Sequence, residues 1–374
     1  MKICHLTSAH PVNDIRIFQK ECISLKNAGY DVYLIVNGEK NQTIEGVNII
    51  GTKKIKSRFS RILLSPVLIF FKALKVNAKI YHFHDPELIF VGFILKIFGK
   101  KVIFDIHENV ALSIKDKDWI PKKLRGFVRK IYRLIEKFFT LFFDVLILAE
   151  DSYTNYYSKK ESHVILNYPL VFEQINIEEN KDFSTPLRFV YSGLISEIRG
   201  VFQILNIFLS LYNKGYDIYL DIIGRVEYEK LECAINNFIS KNELENRVAL
   251  HGYIPVKQVY KILKNDHIGF SLLKPIDNYK TSLPTKIFEY MLNGLPVITS
   301  NFELYDYYVK EKNTGICVDY LNINEAVLQI EELINNKQLM SIKSKNGKLA
   351  VFNEFNWTSQ EKKLLKIYND ILSN

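Results

Sequence analysis

From Ser282 to Asn301 the chain reads SLPTKIFEYMLNGLPVITSN, and few backbones suit it: a helix start, an amphipathic turn and a half with one carboxylate, a glycine stop, then a strand. Pro284 fits the first helical position, Ile287, Tyr290 and Met291 share a face, Gly294 fits the cap beyond the end, and Pro296 blocks continuation. In an open α/β sheet such a helix start opens onto the strand tips, where ligands sit. Backbone N–H groups there, with Lys286 in the first turn, make a site for a phosphate or diphosphate. Glu289 lies near the same end and is placed to accept hydrogen bonds from neutral hydroxyls, of which a ribose offers two.

Strand and helix signals alternate through the rest of the chain, as in doubly wound layers with mainly parallel sheets. The pattern predicts strands near 2–7, 31–36, 47–51, 79–84, 101–106, 144–149 and 163–167, with helices between them that include 17–28 and 87–98. A second series has strands near 187–192, 217–223, 247–251, 267–272, 296–299 and 315–318. The aperiodic stretch from Asn167 to Pro186, with two prolines and an acidic run, separates the two series and reads as a linker. A last helix, Thr358 to Leu372, carries Leu364, Leu365, Ile367, Tyr368 and Ile371 on one side.

At 374 residues, 48% apolar and 24% charged, the chain can build two cores, and disorder is not indicated. Cys4, Cys22, Cys233 and Cys317 have no metal-ligand or paired spacing and read as reduced thiols of a cytoplasmic protein. No run suits a signal peptide or a membrane span. Charge is uneven: residues 1–170 carry net +11 and the remainder net −2. A basic half could meet nucleic acid, an anionic membrane or a phosphorylated acceptor. No aromatic RNA motif or helix-turn-helix pattern supports the first.

Two segments of the basic half are amphipathic. Pro121 to Phe143 sets Leu124, Phe127, Val128, Ile131, Leu134, Ile135 and Phe138 against Lys122, Arg125, Arg129, Arg133 and Lys137; Lys53 to Lys75 is a second basic and apolar tract. Either could lay its apolar face on its own sheet or on an anionic leaflet, where each basic residue contributes about 1 kcal/mol. Together, with the net +11, they favour the membrane.

Further motifs sit at strand ends. In YSGLISEIRGV, Gly193 permits close approach to a phosphate and Arg199 could clamp it, although an ordinary turn with a surface arginine reads the same way. Gly224, Arg225 and Gly252 end two further strands at one edge. YHFHDPEL places His84 and Asp85, and FDIHENV places His107 and Glu108, at the ends of neighbouring strands; Asp85 could equally cap the helix that begins at Pro86. In SAHPVNDIR, His10, Asp14 and Arg16 precede the first helix, which Asn13 or Asp14 could cap. Asp116 and Asp118 form a D-x-D in a charged loop and read as solvated charge.

These segments resemble glycosyltransferase family 4 (group 1), retaining enzymes of the bacterial capsule, exopolysaccharide and O-antigen type. The resemblance implies an α/β chain of the GT-B class, two facing Rossmann-like doubly wound domains with a central cleft and a C-terminal crossover helix. It divides the chain into an acceptor domain, 1–168 completed by 358–374, and a nucleotide-sugar domain, 169–357. The family hallmark is a pair of glutamates separated by seven residues. Glu289 matches the second, which holds the donor ribose; the first falls at Thr281, so the contact to the transferred sugar departs from the family. Many members carry a second arginine after the first glycine of the 191–201 segment, where this chain has Leu194.

By the same resemblance Gly193, Arg199, Gly224, Arg225, Gly252, Thr281, Ser282, Leu283, Pro284, Lys286 and Glu289 bind the donor. His10, Asp14, Arg16, His84, Asp85, His107 and Glu108 meet the acceptor, and His107, Arg199, Lys286 and Glu289 serve catalysis. The implied reaction moves a sugar from a nucleoside diphosphate, a UDP-sugar first, to a polyprenyl-diphosphate-linked saccharide. It needs no cofactor or metal, and it runs at the inner face of the cell membrane on a peripheral cytoplasmic protein. A GT-B nucleotide-sugar epimerase and a non-catalytic scaffold of a polysaccharide assembly complex are the alternatives.

Overall fold

A computed structural model describes all residues except 56, 115–119, 158–160, 172–180 and 374. Asp116 and Asp118, and the middle of the expected linker, lie outside the described residues. The chain divides into one unit of Met1–Asn167 with Trp357–Asn374 and a second of Tyr168–Asn356.

The first unit is built on eight strands: β1 (Lys2–Leu6), β2 (Asp31–Asn37), β3 (Gln42–Ile44), β4 (Val47–Thr52), β5 (Ile80–Phe83), β6 (Lys101–Ile106), β7 (Val145–Leu148) and β8 (Ser162–Val164). Their order is β3-β4-β2-β1-β5-β6-β7-β8, parallel except for the antiparallel edge strand β3. That strand was not expected, because QTI is too short to show a period. The chain winds outward from β1 through β2 and then crosses to β5, so the switch point lies between β1 and β5. In sheets of this kind the carboxyl ends of the strands at the switch point frame a crevice.

The second unit holds β9 (Leu187–Ser192), β10 (Ile218–Ile223), β11 (Val248–Gly252), β12 (Ile268–Ser271), β13 (Val297–Ser300) and β14 (Gly315–Val318). They are all parallel, in the order β11-β10-β9-β12-β13-β14, with the switch between β9 and β12. Each sheet has its own core, centred on residues such as Phe83, Phe104 and Phe143 in the first unit and Phe189, Phe208 and Phe270 in the second.

Six helices bear on the sites: α1 (Arg58–Val76), α2 (Ile89–Ile97), α3 (Lys122–Thr140), α4 (Val201–Asn213), α5 (Lys286–Leu292) and α6 (Trp357–Ser373). Three expected helices are corrected. The 17–28 segment opens as a π-helix, Ile15–Cys22, before one α-helical turn, Ile23–Asn27. The 87–98 segment begins with a 3-10 turn, Pro86–Leu88. In the 282–301 block the α-helix begins at Lys286, because Pro284 leads a tighter turn in which its carbonyl accepts from the Ile287 N–H. Gly294 takes the left-handed conformation (φ +71°) beyond the end, and the Leu295 N–H bonds back to Tyr290, so the stop signal acts as read.

The last helix returns to the first unit. Trp357, Leu364, Ile367, Tyr368 and Ile371 are buried, and the Trp357 indole N–H donates to the Ser24 hydroxyl at 2.9 Å. The two basic amphipathic tracts both keep apolar side chains outward, although α1 also packs Ile69, Ala73 and Val76 into the core of the first unit. On α3 only Glu136 and Thr140 are buried, while Phe127 and Leu134 are 65% and 61% exposed. Leu63, Leu64, Val67 and Phe71 of α1 and Phe90, Ile94 and Ile97 of α2 are also exposed. No helix among the described residues is long and apolar enough to cross a membrane.

Candidate functional site

In the second unit three glycines meet at the strand tips. The Gly193 N–H donates to Ile223 at 2.9 Å and the Gly224 N–H to Gly252 at 2.8 Å, with all three residues at positive φ. A Cβ on Gly224 would lie 1.8 Å from the Gly193 carbonyl oxygen, so the approach of the two turns requires glycine there. Arg225, beside Gly224, is exposed.

Helix α5 is set over these tips by its buried residues. Tyr290 lies against Gly269, where any Cβ would collide with the ring, and its hydroxyl accepts from the Ser192 N–H at 2.8 Å. That anchor aims Lys286 at Gly193: a Cβ on Gly193 would sit 3.3 Å from the ammonium. Lys286 is 6% exposed, its nitrogen lies 3.7 Å from the centre of the Tyr191 ring, and it has no hydrogen-bond partner among the described residues. Burial pushes its pKa well below the lysine range, Arg199 adds to the push, and Glu289 opposes it.

Arg199 is half-buried in a 3-10 turn, Glu197–Arg199, that ends at Gly200 in the left-handed conformation. Its charge bears on the buried Tyr191 hydroxyl as well as on Lys286. Glu289 is half-buried on α5, close enough that its charge acts on both Lys286 and Tyr260. Two cations and one carboxylate thus gather by the Gly193 turn at the tip of β9, beside the switch point, with the Gly224 and Gly252 turns at the tips of β10 and β11. Ser282, Leu283 and Pro284 form the half-buried lead into α5, with the Ser282 carbonyl held by the Tyr305 hydroxyl at 3.1 Å. Thr281 is exposed before them.

In the first unit the switch point carries a polar network. Asp85 does not cap the turn at Pro86. One carboxylate oxygen instead accepts from the Thr7 hydroxyl and the Ser8 N–H, each at 2.7 Å, and from the Ala9 N–H at 3.2 Å, while the other lies 3.2 Å from His10 Nδ1. Burial would raise this carboxyl, but His10, Thr7 and Ser8 outweigh it and hold it well below the usual range. Burial likewise opposes the His10 charge, and Asp85 with Asp14 and Asp105 overcomes it, so the imidazole pKa is raised. Asp14 caps the π-helix, accepting from the N–H groups of Arg16 and Ile17 at 2.9 Å.

Arg16 and His84 depart from the expected acceptor-facing role. Arg16 is buried and its guanidinium grips Asp105 with two bonds of 2.9 Å, while a third N–H donates to Ile165 at 2.8 Å. His84 lies behind His107, its Nδ1 3.2 Å from His107 Nε2 and 3.3 Å from Asp105, and burial lowers its pKa to about 4. His107, partly exposed, holds Asp105 through Nε2 at 2.7 Å; Glu108 is exposed at the same strand tip.

Several of these residues escaped the sequence reading. Asp105 was a visible signal, a charge inside the apolar strand KVIFDI, and His82 and His84 share a face by their spacing of two. His5, Glu21 and Tyr191 join only through folding, since nothing in their own segments marks them out.

Two doubly wound parallel units, with glycine-lined strand tips in the second and a C-terminal helix returned to the first, define the GT-B glycosyltransferase fold. Residues 172–350 match the family model described as glycosyl transferases group 1. An uncharacterized glycosyltransferase of Methanocaldococcus jannaschii is 22% identical over 248 residues, a match that covers 61% of this chain and 61% of that protein.

Among solved structures, sucrose-phosphate synthase from Thermosynechococcus elongatus superposes with a TM-score of 0.78 at 14% identity, covering 100% of this chain and 99% of that one. Anabaena HepE in complex with UDP-glucose gives 0.74 at 11% identity, covering 99% and 100%. WaaG, a glycosyltransferase involved in lipopolysaccharide biosynthesis, gives 0.72 at 12% identity, covering 97% and 98%. At these identities the likeness concerns the fold.

Proposed function

We propose that the chain is a retaining glycosyltransferase that moves a sugar from a nucleoside diphosphate, a UDP-sugar first, to a lipid-linked saccharide in cell-surface polysaccharide synthesis. The observation that carries this reading is Lys286, a buried ammonium without a hydrogen-bond partner among the described residues, aimed at an exposed glycine turn beside Arg199. A desolvated cation of this kind is relieved by an anion, and a diphosphate is the anion that the adjoining glycine turns admit. The group 1 match over this unit and the UDP-glucose bound to the HepE neighbour support the donor class.

In this account Lys286 and Arg199 stabilise the charge that builds on the leaving diphosphate, and Glu289 accepts from the ribose hydroxyls. The diphosphate itself helps to take the acceptor proton, so the protein supplies charge and geometry and transfer needs no metal at the donor. His107, with His10 and Glu108 at the first unit's strand tips, meets the acceptor. The exposed apolar side chains of α1, α2 and α3, within a half of net +11, favour an acceptor held at an anionic membrane surface.

Thermal unfolding with UDP, GDP, ADP, CMP and dTDP tests the donor site in the wild type and in Glu289→Ala. A ligand at a hundredfold its dissociation constant adds about 2.7 kcal/mol. Stabilisation by one nucleotide, lost in the variant, is the expected result. No response to any nucleotide at millimolar concentration defeats the transferase reading and leaves the scaffold.

A further inference from the structure

Beneath the strand tips of the first unit lies a second polar cluster that the proposed transfer does not use. The pairing of β1 with β5 sets His5 opposite His82, and the spacing of two puts His84 on the same face. The π-helix, a form frequent at functional sites, lowers Glu21 onto these three rings. His5, Glu21 and His82 are fully buried and His84 is 2% exposed.

One Glu21 oxygen, Oε2, lies 3.9 Å from His5 Nδ1, 4.0 Å from His82 Nδ1 and 3.9 Å from His84 Nε2. These distances are too long for hydrogen bonds, and neither Glu21 oxygen has a hydrogen-bond partner among the described residues. The inward nitrogens of His5 and His84 are 3.0 Å apart.

Charge is also left over. The Arg16 guanidinium grips Asp105 with two bonds and stands 3.2 Å from the other Glu21 oxygen, so one buried cation faces two buried carboxylates. Isolated buried charge is costly, and the balance requires a proton or a second cation.

We infer that Glu21, His5, His82 and His84 form a closed site for one divalent transition-metal ion, with zinc favoured by the three imidazoles and one carboxylate. Ligand atoms around a tetrahedral zinc with bonds of about 2.0–2.2 Å lie about 3.4 Å apart. To reach that geometry the carboxylate draws in by about half an ångström and the His5 and His84 nitrogens move apart by a similar amount. Two outer nitrogens are already held as ligand imidazoles require, His84 Nδ1 by Asp105 at 3.3 Å and His5 Nε2 by the Tyr368 hydroxyl at 3.3 Å, whereas His82 Nδ1 gives up a 2.8 Å hydrogen bond to the same hydroxyl when it turns to the ion. The neighbouring set of His84, Asp105 and His107 is a poorer site, because Arg16 already grips both Asp105 oxygens.

The ion ties β1, β5, the π-helix and, through Tyr368, α6 into one unit. It also fixes a tautomer: with Nε2 on the metal, His84 carries its proton on Nδ1 and donates it to Asp105, the carboxylate that holds His107. The site is structural and stands apart from metal-independent chemistry at the donor.

The test is metal analysis of the full chain purified from zinc-supplemented culture and dialysed against EDTA, together with chain refolded from denaturant in Zn2+. The expected content is about one zinc per chain, retained in EDTA, with an absorption-edge spectrum of imidazole nitrogen and carboxylate oxygen at about 2.0–2.2 Å. Glu21→Gln and His82→Gln should each lower it at least about tenfold, a loss common when a ligand shell is broken. The His82 variant keeps the test decisive if Glu21→Gln folds poorly. Wild-type chain free of zinc by both routes overturns the inference and leaves Glu21 holding a proton. Zinc retained in both variants overturns it equally, since the ion then lies elsewhere.

Discussion

The Lys286 ammonium stands 3.7 Å from the centre of the Tyr191 ring, and a Cβ on Gly193 would lie 3.3 Å from it. The ring face offers partial compensation to a cation that lacks a hydrogen-bond partner among the described residues, and the glycine keeps the approach to it clear. Lys286→Met retains the shape and removes the charge. Its expected effect is a gain of about 1–2 kcal/mol in stability without ligand, because a desolvated charge is gone. Nucleotide-dependent stabilisation should vanish in the same protein. Undiminished nucleotide response in calorimetry would show that the diphosphate sits elsewhere.

Two glycines at the same strand tips should respond differently to alanine. Gly224 has φ +141° and a Cβ there meets a backbone carbonyl at 1.8 Å, so Gly224→Ala must move a turn and should cost more than about 3 kcal/mol. Gly252 has φ +64° but open space around it, and Gly252→Ala should cost only about 1–2 kcal/mol, the left-handed penalty. Chemical denaturation of both variants checks the ranking, and equal costs would refute the close-approach argument.

His267 sets a pH dependence in the second unit. Its Nδ1 accepts the Arg188 N–H at 2.9 Å, and burial, then Lys181, lowers its pKa from 6.5 to about 4. Between those values the unfolded chain binds the proton and the folded one does not, so this contribution is intact above about pH 6.5 and is lost as pH falls toward 4. The ring is only partly buried, and screening reduces the effect to about 1–2 kcal/mol. His267→Gln keeps an acceptor without a titrating group. Comparing denaturation midpoints at about pH 7 and about pH 4.5 should show a smaller acid loss in the variant than in the wild type.

The outward apolar face of α3 should bind anionic vesicles. Phe127 and Leu134 are 65% and 61% exposed, and burial of such a side chain in lipid contributes about 1.5–3 kcal/mol. Phe127→Ser with Leu134→Ser should weaken cosedimentation with phosphatidylserine vesicles by about 100- to 10,000-fold if both side chains insert fully, and leave the melting temperature unchanged. Equal sedimentation of both proteins would remove the membrane surface from the account.

The strands of both sheets except β3, the stop at Gly294 and the glycine turns at Gly193, Gly224 and Gly252 were legible in the sequence. Each rests on local physics: a run of β-branched residues, a left-handed cap, a missing side chain. The direction of an amphipathic face was not legible. The α3 pattern fits an inward or an outward helix equally well, and only packing turned Phe127 to solvent.

Partnership across long separations was hidden for the same reason. Arg16 and Asp105, and His5 with Glu21, His82 and Tyr368, come together because parallel pairing of β1 with β5 and the return of α6 bring distant segments to one buried point. Sequence alone determined which residues can end a strand, cap a helix or carry a charge. The tertiary structure decided which charges lose their water, and burial is what separates Lys286, with its unmet ammonium, from an ordinary surface lysine.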